Sequence, residues 1–273
     1  MKAFHEQRFY PGSLHLVVSK SAGMDFLAHW HDEFELFFVF KGCQGLGINN
    51  QLLTLTDGQI GIVAPWDIHY YERIGAVDGM MLIFSPELTD NRLPLQSGFW
   101  SDPEPAGRQR RLQLLESLRL ESTNRESYYE LMAAGFLRLI MADLLRAGSG
   151  LVFTPAGAGR SAGFQTMQSI LSYLAEHYRE PVTREALADR FHLCPSHLSR
   201  TFKAATGLPL PEYIAKLRLE NACRALRQTD EPIIQIAYNS GFESIRTFNR
   251  VFLRYIGRTP GSLRDSGLSG NSG

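Results

Sequence analysis

The sequence predicts a multidomain α+β protein. An N-terminal antiparallel β-barrel or jelly roll with a helix pair comes first, then an all-α domain in which a long helix joins two helix-turn-helix units. Three observations carry this. Short apolar runs separated by turn residues fill the first 90 positions, helical periodicity takes over from about 107, and a Gly/Ala/Ser-rich stretch interrupts the helical part. With 273 residues, 44% of them hydrophobic and 21% charged, the chain has room for more than one folded domain, and disorder, collagen and small disulfide scaffolds are excluded.

The expected boundaries are a barrel over 1–90, a helix pair over 107–147, a flexible linker over 148–162, the double helix-turn-helix domain over 163–265 and a disordered tail over 266–273. Prolines and glycines at 89–107 mark a weaker break. In the barrel, the runs LHLVV, Phe26 to Phe40, LGI, LLTL, QIGIVA and MMLIFS are strand-like, with Asn49-Asn50 and Thr56-Asp57-Gly58 as turns between them. Strand alternation puts His29, His31, Glu33, Glu35, Phe37 and Val39 on one face and Trp30, Asp32, Phe34, Leu36, Phe38 and Phe40 on the other.

His69, after the Pro65-Trp66-Asp67 turn, adds a third imidazole to this set. Three histidines and a carboxylate suit zinc, iron(II), manganese or nickel; equally, they line a polar pocket for an organic ligand, with Phe37, Trp66, Tyr70 and Tyr71 as apolar or stacking surface. A sealed barrel with a purely structural cluster is the third option. Gly23, His29, His31, Glu35 and Gly42 match the first cupin motif, G-x5-H-x-H-x3-E-x6-G, at every interval, so this region resembles the cupin superfamily. The second cupin motif is partly met by Gly58, Pro65 and His69, one residue short between the last two and with Asp67 where glycine is usual.

Two amphipathic helices follow, one with Leu112, Leu115 and Leu118, the other with Tyr129, Met132, Phe136, Leu137, Ile140 and Leu144. They cap the barrel or form a twofold dimer interface.

From 163 on, the pattern of a short helix, a tight turn and a longer basic helix occurs twice. Thr183 caps the helix holding Leu187-Ala188, His192-Leu193-Cys194-Pro195 turns, and the next helix stops at Gly207. Ser199-Arg200-x-Phe202 and Gly207 return as Asn249-Arg250-x-Phe252 and Gly257 at an offset of 50, while Ala188 returns as Ala237 at 49, so the second turn is one residue longer. Between the units, Leu210 to Arg227 reads as one helix of about 27 Å at ~1.5 Å per residue. That approaches the ~34 Å between successive major-groove faces of a duplex.

Residues 233–264 carry Ile236-Ala237, Gly241-Phe242, Phe248, Arg250, Phe252, Gly257, Thr259-Pro260 and Arg264, and with these the chain resembles the AraC/XylS family of transcriptional regulators. Arg246, Leu253 and Leu263 depart from its usual small hydroxyl, basic and aromatic residues. The resemblance implies a sequence-specific DNA-binding regulator, an activator, whose cupin-like barrel binds a small effector, with a sugar-like ligand first choice. Base-edge candidates are Ser196, His197, Ser199 and Arg200 in the first unit and Ile245, Arg246, Asn249 and Arg250 in the second; Lys203, Arg254 and Arg258 suit phosphates. For Arg200 and Arg250, a salt bridge or phosphate contact that orients the helix is the rival role. The candidate effector residues are His29, His31, Glu35, Phe37, Trp66, His69 and Tyr70.

Formal charge is zero, 28 against 28, but it splits into 14 − 18 = −4 over 1–162 and 14 − 10 = +4 over 163–273. Cys43, Cys194 and Cys223 form no CxxC pair, which suggests a reducing cytoplasm, and neither a signal peptide nor a membrane span is expected. The expected partners are double-stranded promoter DNA, a small-molecule effector, a second copy of the chain and, for an activator, RNA polymerase. No cofactor is required on this reading and no enzymatic activity is expected. The alternatives are a metal-dependent cupin enzyme or a metal-sensing regulator using His29, His31, Glu35 and His69.

Overall fold

A computed structural model describes residues 14–48, 51–89, 95–101, 105–146, 151–153 and 162–268, and these fall into two compact units, 14–153 and 162–268. The Asn49-Asn50 turn and most of the predicted linker lie outside the described residues.

The first unit has strands β1 (Leu16–Ser21), β2 (Phe26–His29), β3 (Phe34–Ile48), β4 (Gln51–Thr56), β5 (Gln59–Val63), β6 (His69–Glu72), β7 (Val77–Phe84), β8 (Gly98–Ser101) and β9 (Leu151–Phe153). All described pairings are antiparallel. β3 is 15 residues long and serves two sheets: its first half lies between β5 and β7, its second between β4 and β6. The change of sheet falls at a bulge between Val39 and Lys41, followed by Gly42 at φ 93. A Cβ on Gly42 would stand 2.0 Å from the Ala76 carbonyl oxygen, so only glycine lets the strand bend there.

Alternation along β3 builds two cores. Phe37 and Val39 join Leu46, Ile48, Leu55, Val63, Tyr71, Met81 and Ile83 inside the barrel. Phe34, Leu36 and Phe38 face outward, where α1 (Pro105–Asn124) and α2 (Tyr129–Arg146) cover them with Leu115, Leu118, Leu137, Ile140 and Leu144. The helix pair therefore covers one face of the sheet. Arg111 is buried in this layer, its guanidinium 4.6 Å from the Trp100 ring centroid and 2.5 Å from Asp143 Oδ2. Met132, placed with the buried stripe by its spacing, is 48% exposed; Ala133 and Met141 lie in the core.

Three local expectations change. The stretch from Phe26 to Phe40 is not one strand, because Trp30 to Glu33 interrupt it between β2 and β3. Gly98–Ser101, in the weak break, pairs with β5, and Leu151–Phe153, within the predicted linker, pairs with β8; both are short apolar runs that gain backbone partners only from a sheet edge. The last helix runs to Leu268, past the start of the predicted tail.

The second unit has α3 (Ala162–His177), α4 (Arg184–Arg190), α5 (Pro195–Thr206), α6 (Leu210–Gln228), α7 (Ile233–Asn239), α8 (Ile245–Ile256) and α9 (Pro260–Leu268). The duplication extends to the backbone. Leu193 N–H donates to Ala188 O and Phe242 N–H to Ala237 O, an offset of 49; Leu198 N–H donates to Cys194 O and Phe248 N–H to Ser244 O, an offset of 50. Glu243 is the residue gained.

At the turn itself the chain must enter the left-handed region, which His192 does at φ 54 and Gly241 at φ 89. A Cβ on Gly241 would meet Arg179 Cα at 2.6 Å, whereas Gly257, at φ 76, has open space around its Cβ position. Gly241→Ala is therefore expected to destabilise this unit by about 2–3 kcal/mol, adding a backbone clash to the left-handed penalty, and Gly257→Ala by only about 1 kcal/mol. Urea unfolding followed by helical circular dichroism measures the difference, and equal losses would refute the close approach.

Candidate functional site

Inside the barrel, His29 and His69 are direct cross-strand partners on β2 and β6, with ring centroids 4.1 Å apart. His31, in the segment after β2, and Glu35, on β3, complete the cluster, and none of the four is more than 1% exposed. His31 Nε2 lies 3.1 Å from Glu35 Oε2, and His69 Nε2 lies 3.7 Å from Glu35 Oε1. One ligand atom from each of the four lies within 4.8 Å of all the others.

The opposite ring nitrogens are held by backbone. Nδ1 of His29 lies 2.9 Å from Leu27 O, that of His31 3.2 Å from Glu33 O, and that of His69 3.0 Å from Asp67 O. A carbonyl can only accept, so Nδ1 is the donor in each of these pairs. The Glu33 carboxylate, 3.4 Å from His31 Nδ1, adds a second contact to that ring. Burial, reinforced by the neighbouring His69 and His31, holds the His29 imidazole well below its usual range. Burial would raise Glu35, but the hydrogen bonds from His31 and His69 outweigh it and hold the carboxyl well below its ordinary value.

The remaining effector candidates divide. Phe37 is fully buried and faces the Tyr71 ring at 5.7 Å between centroids. Trp66, at φ 73, packs against Trp30 with ring centroids 5.4 Å apart and is 41% exposed. Tyr70 lies over Gly47, on the face of β6 opposite His69. The ring that does share the cluster's side is Tyr71, 6.1 Å from His69, and the period-two step from His69 is the sequence signal that selects it over Tyr70.

In the second unit, Leu198, Phe202 and Thr206 point inward from α5 and Phe248 and Phe252 from α8. The other sides carry the DNA candidates. Ser196, His197, Arg200 and Lys203 are exposed on α5, as are Arg246, Asn249, Arg250 and Arg254 on α8. Ser199 is half-buried and its hydroxyl donates to Pro195 O; Ile245 is half-buried against the local core. Arg200 contacts His197 Nδ1 at 3.3 Å, and Arg254 lies over the Tyr255 ring. Among the described residues no ion pair engages Arg200, Lys203, Arg246 or Arg250. Each helix thus presents exposed cations, of which Arg200 and Arg250 repeat at the offset of 50, an arrangement that can approach phosphates and base edges. All three cysteines are free, and no described helix is long and apolar enough to cross a membrane.

Residues 19–139 match the model of the AraC-like ligand binding domain, and residues 187–266 that of a helix-turn-helix domain. The HTH-type transcriptional activator RhaS of Pectobacterium carotovorum subsp. carotovorum (strain PC1) is 31% identical over 255 residues, 89% of each chain. The RhaS of Salmonella dublin is 26% identical over 293 residues, 97% of each. Among solved structures, ToxT from Vibrio cholerae O395 covers 92% of this chain and 97% of its own at 13% identity and a TM-score of 0.45. The two RhaS relatives are transcriptional activators, and the chain belongs to the AraC/XylS family of DNA-binding regulators, with an effector-binding domain ahead of its helix-turn-helix domain.

Proposed function

We propose that this chain is a cytoplasmic transcriptional activator that works as a homodimer, reads promoter DNA with α5 and α8, and recruits RNA polymerase in response to a small effector held in the barrel. The observation that carries the reading is the duplicated pair of helices with an exposed arginine at one matching place, Arg200 and Arg250 at an offset of 50, and the further exposed cations Lys203 on α5 and Arg246 on α8. Between them α6, 19 residues or about 28 Å, acts as a strut of the length that two successive groove segments require.

Arg246 and Asn249 lie in the early turns of α8, where guanidinium and amide can each bond a base edge in bidentate fashion, while Lys203, late in α5, serves phosphate. A sugar-like effector suits the barrel, since imidazoles, a carboxylate and the Phe37 and Tyr71 rings lie together. The dimer reading rests on α2. Tyr128, just before it, Leu131, Met132 and Leu139 are exposed, Tyr128 by 82% and Leu131 by 73%, and the Cβ position of Gly135 has nothing within 4 Å. This second apolar stripe faces away from the sheet that the first one covers, and a second copy of the same helix would bury it.

Fluorescence anisotropy with the full chain and its operator tests the DNA reading. Arg246→Ala is expected to lose about 1–3 kcal/mol and to relax preference at one base position. Lys203→Ala is expected to weaken all sequences alike and to lower the salt slope by about 1. Uniform losses in both would remove Arg246 from base readout, and salt-independent binding would remove the reading itself.

Sedimentation velocity tests the dimer. Leu131→Asp combined with Leu139→Asp is expected to give a monomer with unchanged circular dichroism and at least tenfold weaker operator binding, because two half-sites no longer bind as a unit. A dimer that survives both charges would place the interface elsewhere.

A further inference from the structure

We infer that the junction of α1 with the outer face of the sheet is a second ligand site, which takes a small carboxylate anion with the Arg108 guanidinium as its recognition group. The site lies on the side of the sheet away from the histidine cluster and is independent of what the barrel interior binds.

A cavity opens here between the sheet and the first turns of α1. Phe38, Ile60 and Trp100 are among its walls on one side and Arg108, Leu112 and Leu115 on the other. Its free volume of about 20 Å³ exceeds the roughly 10–15 Å³ that one water needs, so it admits a small head group and excludes a whole sugar ring.

Arg108 is the group in this cavity that the fold does not use. Its guanidinium occupies the place of a side chain on Gly58, where a Cβ would stand 2.0 Å from Nη2 and 2.4 Å from Cζ, so the glycine at φ 78 provides its seat. Among the described residues Arg108 enters no ion pair, and its Nε is buried without a hydrogen-bond partner. Asp57, the carboxylate next to that seat in the chain, is engaged elsewhere, its Oδ1 accepting from Gly42 N–H at 2.7 Å. The indole N–H of Trp100, a wall residue with no exposure, also lacks a hydrogen-bond partner. Two buried donors at one cavity, one of them cationic, call for a negatively charged acceptor. A water would satisfy the hydrogen bonds and leave the charge uncompensated.

The surrounding charge has the same sign. Arg108, Arg110 and Arg111 fall in the first two turns of α1, whose first turn has no acidic residue, and at that end the helix dipole favours anions over cations. Asp143, 2.5 Å from Arg111 and 3.3 Å from Arg110, is the counter-ion of those two. The guanidinium fork matches the two oxygens of a carboxylate, and a singly charged head costs less to bring against apolar walls than a phosphate dianion.

The test is a titration of the full chain, carrying nitrogen-15 in its three tryptophans, with sodium formate, acetate, butyrate, chloride or phosphate at constant ionic strength. Trp100→Phe assigns the indole resonance. Formate and acetate are expected to shift the Trp100 indole N–H in a saturable way and to raise the thermal midpoint, with at least tenfold weaker binding in Arg108→Gln. Arg125→Gln, which removes an exposed guanidinium beyond the other end of α1, is expected to leave binding unchanged. Butyrate distinguishes the sources: binding tighter than that of acetate identifies the head of an organic acid, and weaker binding a free small anion. If Arg108→Gln fails to fold, Arg108→Lys keeps the charge and loses the fork, and a weakened response is again expected. A shift that grows linearly with every salt, or that is the same in the Arg108 variants, leaves only water at the guanidinium and overturns the proposal. A stronger response to phosphate or chloride than to acetate overturns it as well.

Discussion

The first unit depends on burying β3 on both faces. A strand with one face in a barrel and the other in solvent alternates apolar and polar residues, but β3 reads FELFFVF because its outward residues also meet apolar cover, from α1 and α2. Burying a large aliphatic or aromatic side chain contributes about 1.5–3 kcal/mol, so Phe34, Leu36 and Phe38 together commit the helix pair to the sheet. The opposite residues of the same run, Glu35, Phe37 and Val39, are thereby pinned inside. A one-residue slip would turn Glu35 into the helix layer and Leu36 into the histidine cluster, so register and site are one constraint.

That constraint explains how the interior carries a carboxylate at all. An isolated buried carboxylate is strongly unfavourable, and it persists here because hydrogen bonds from His31 and His69 favour the charged form over its desolvation. The imidazoles are in turn fixed by the carbonyls of Leu27 in β2, Glu33 just before β3 and Asp67 in the turn before β6. The polar cluster and the apolar core of Phe37, Tyr71 and Ile83 are therefore successive layers of one barrel interior.

Much of this was legible in the sequence because it follows from periodicity. Alternation sorts the two faces of β3, and the 49 and 50 offsets locate the second helix-turn-helix. What escaped depends on the partner and not on the segment. Gly98–Ser101 and Leu151–Phe153 are too short to declare themselves as strands and exist because a sheet edge stands beside them. Met132 matched the spacing of the buried stripe, yet α2 has a second apolar stripe and the core took Ala133 and Met141. Tyr70 neighbours His69 along β6, so alternation turns it to the opposite face and brings Tyr71 to the cluster, while Trp66 lies in the turn before the strand.

Net charge was the least informative feature, and the second unit explains why. Several of its cations are occupied by the fold: Arg218 donates to Tyr178 O and Glu180 O, Arg264 to Glu231 O, Arg184 pairs with Glu185, and Arg190 lies over the Tyr173 ring. Among the cations that remain, Arg200 and Lys203 are exposed on α5 and Arg246 and Arg250 on α8. A surplus of +4 says little about a DNA-binding surface, whereas the location of the exposed cations says where phosphates can be met. Because phosphate contacts supply affinity through the number of counterions released, a few well-placed cations on each of two helices act in proportion to their placement and not to the formal charge of the chain.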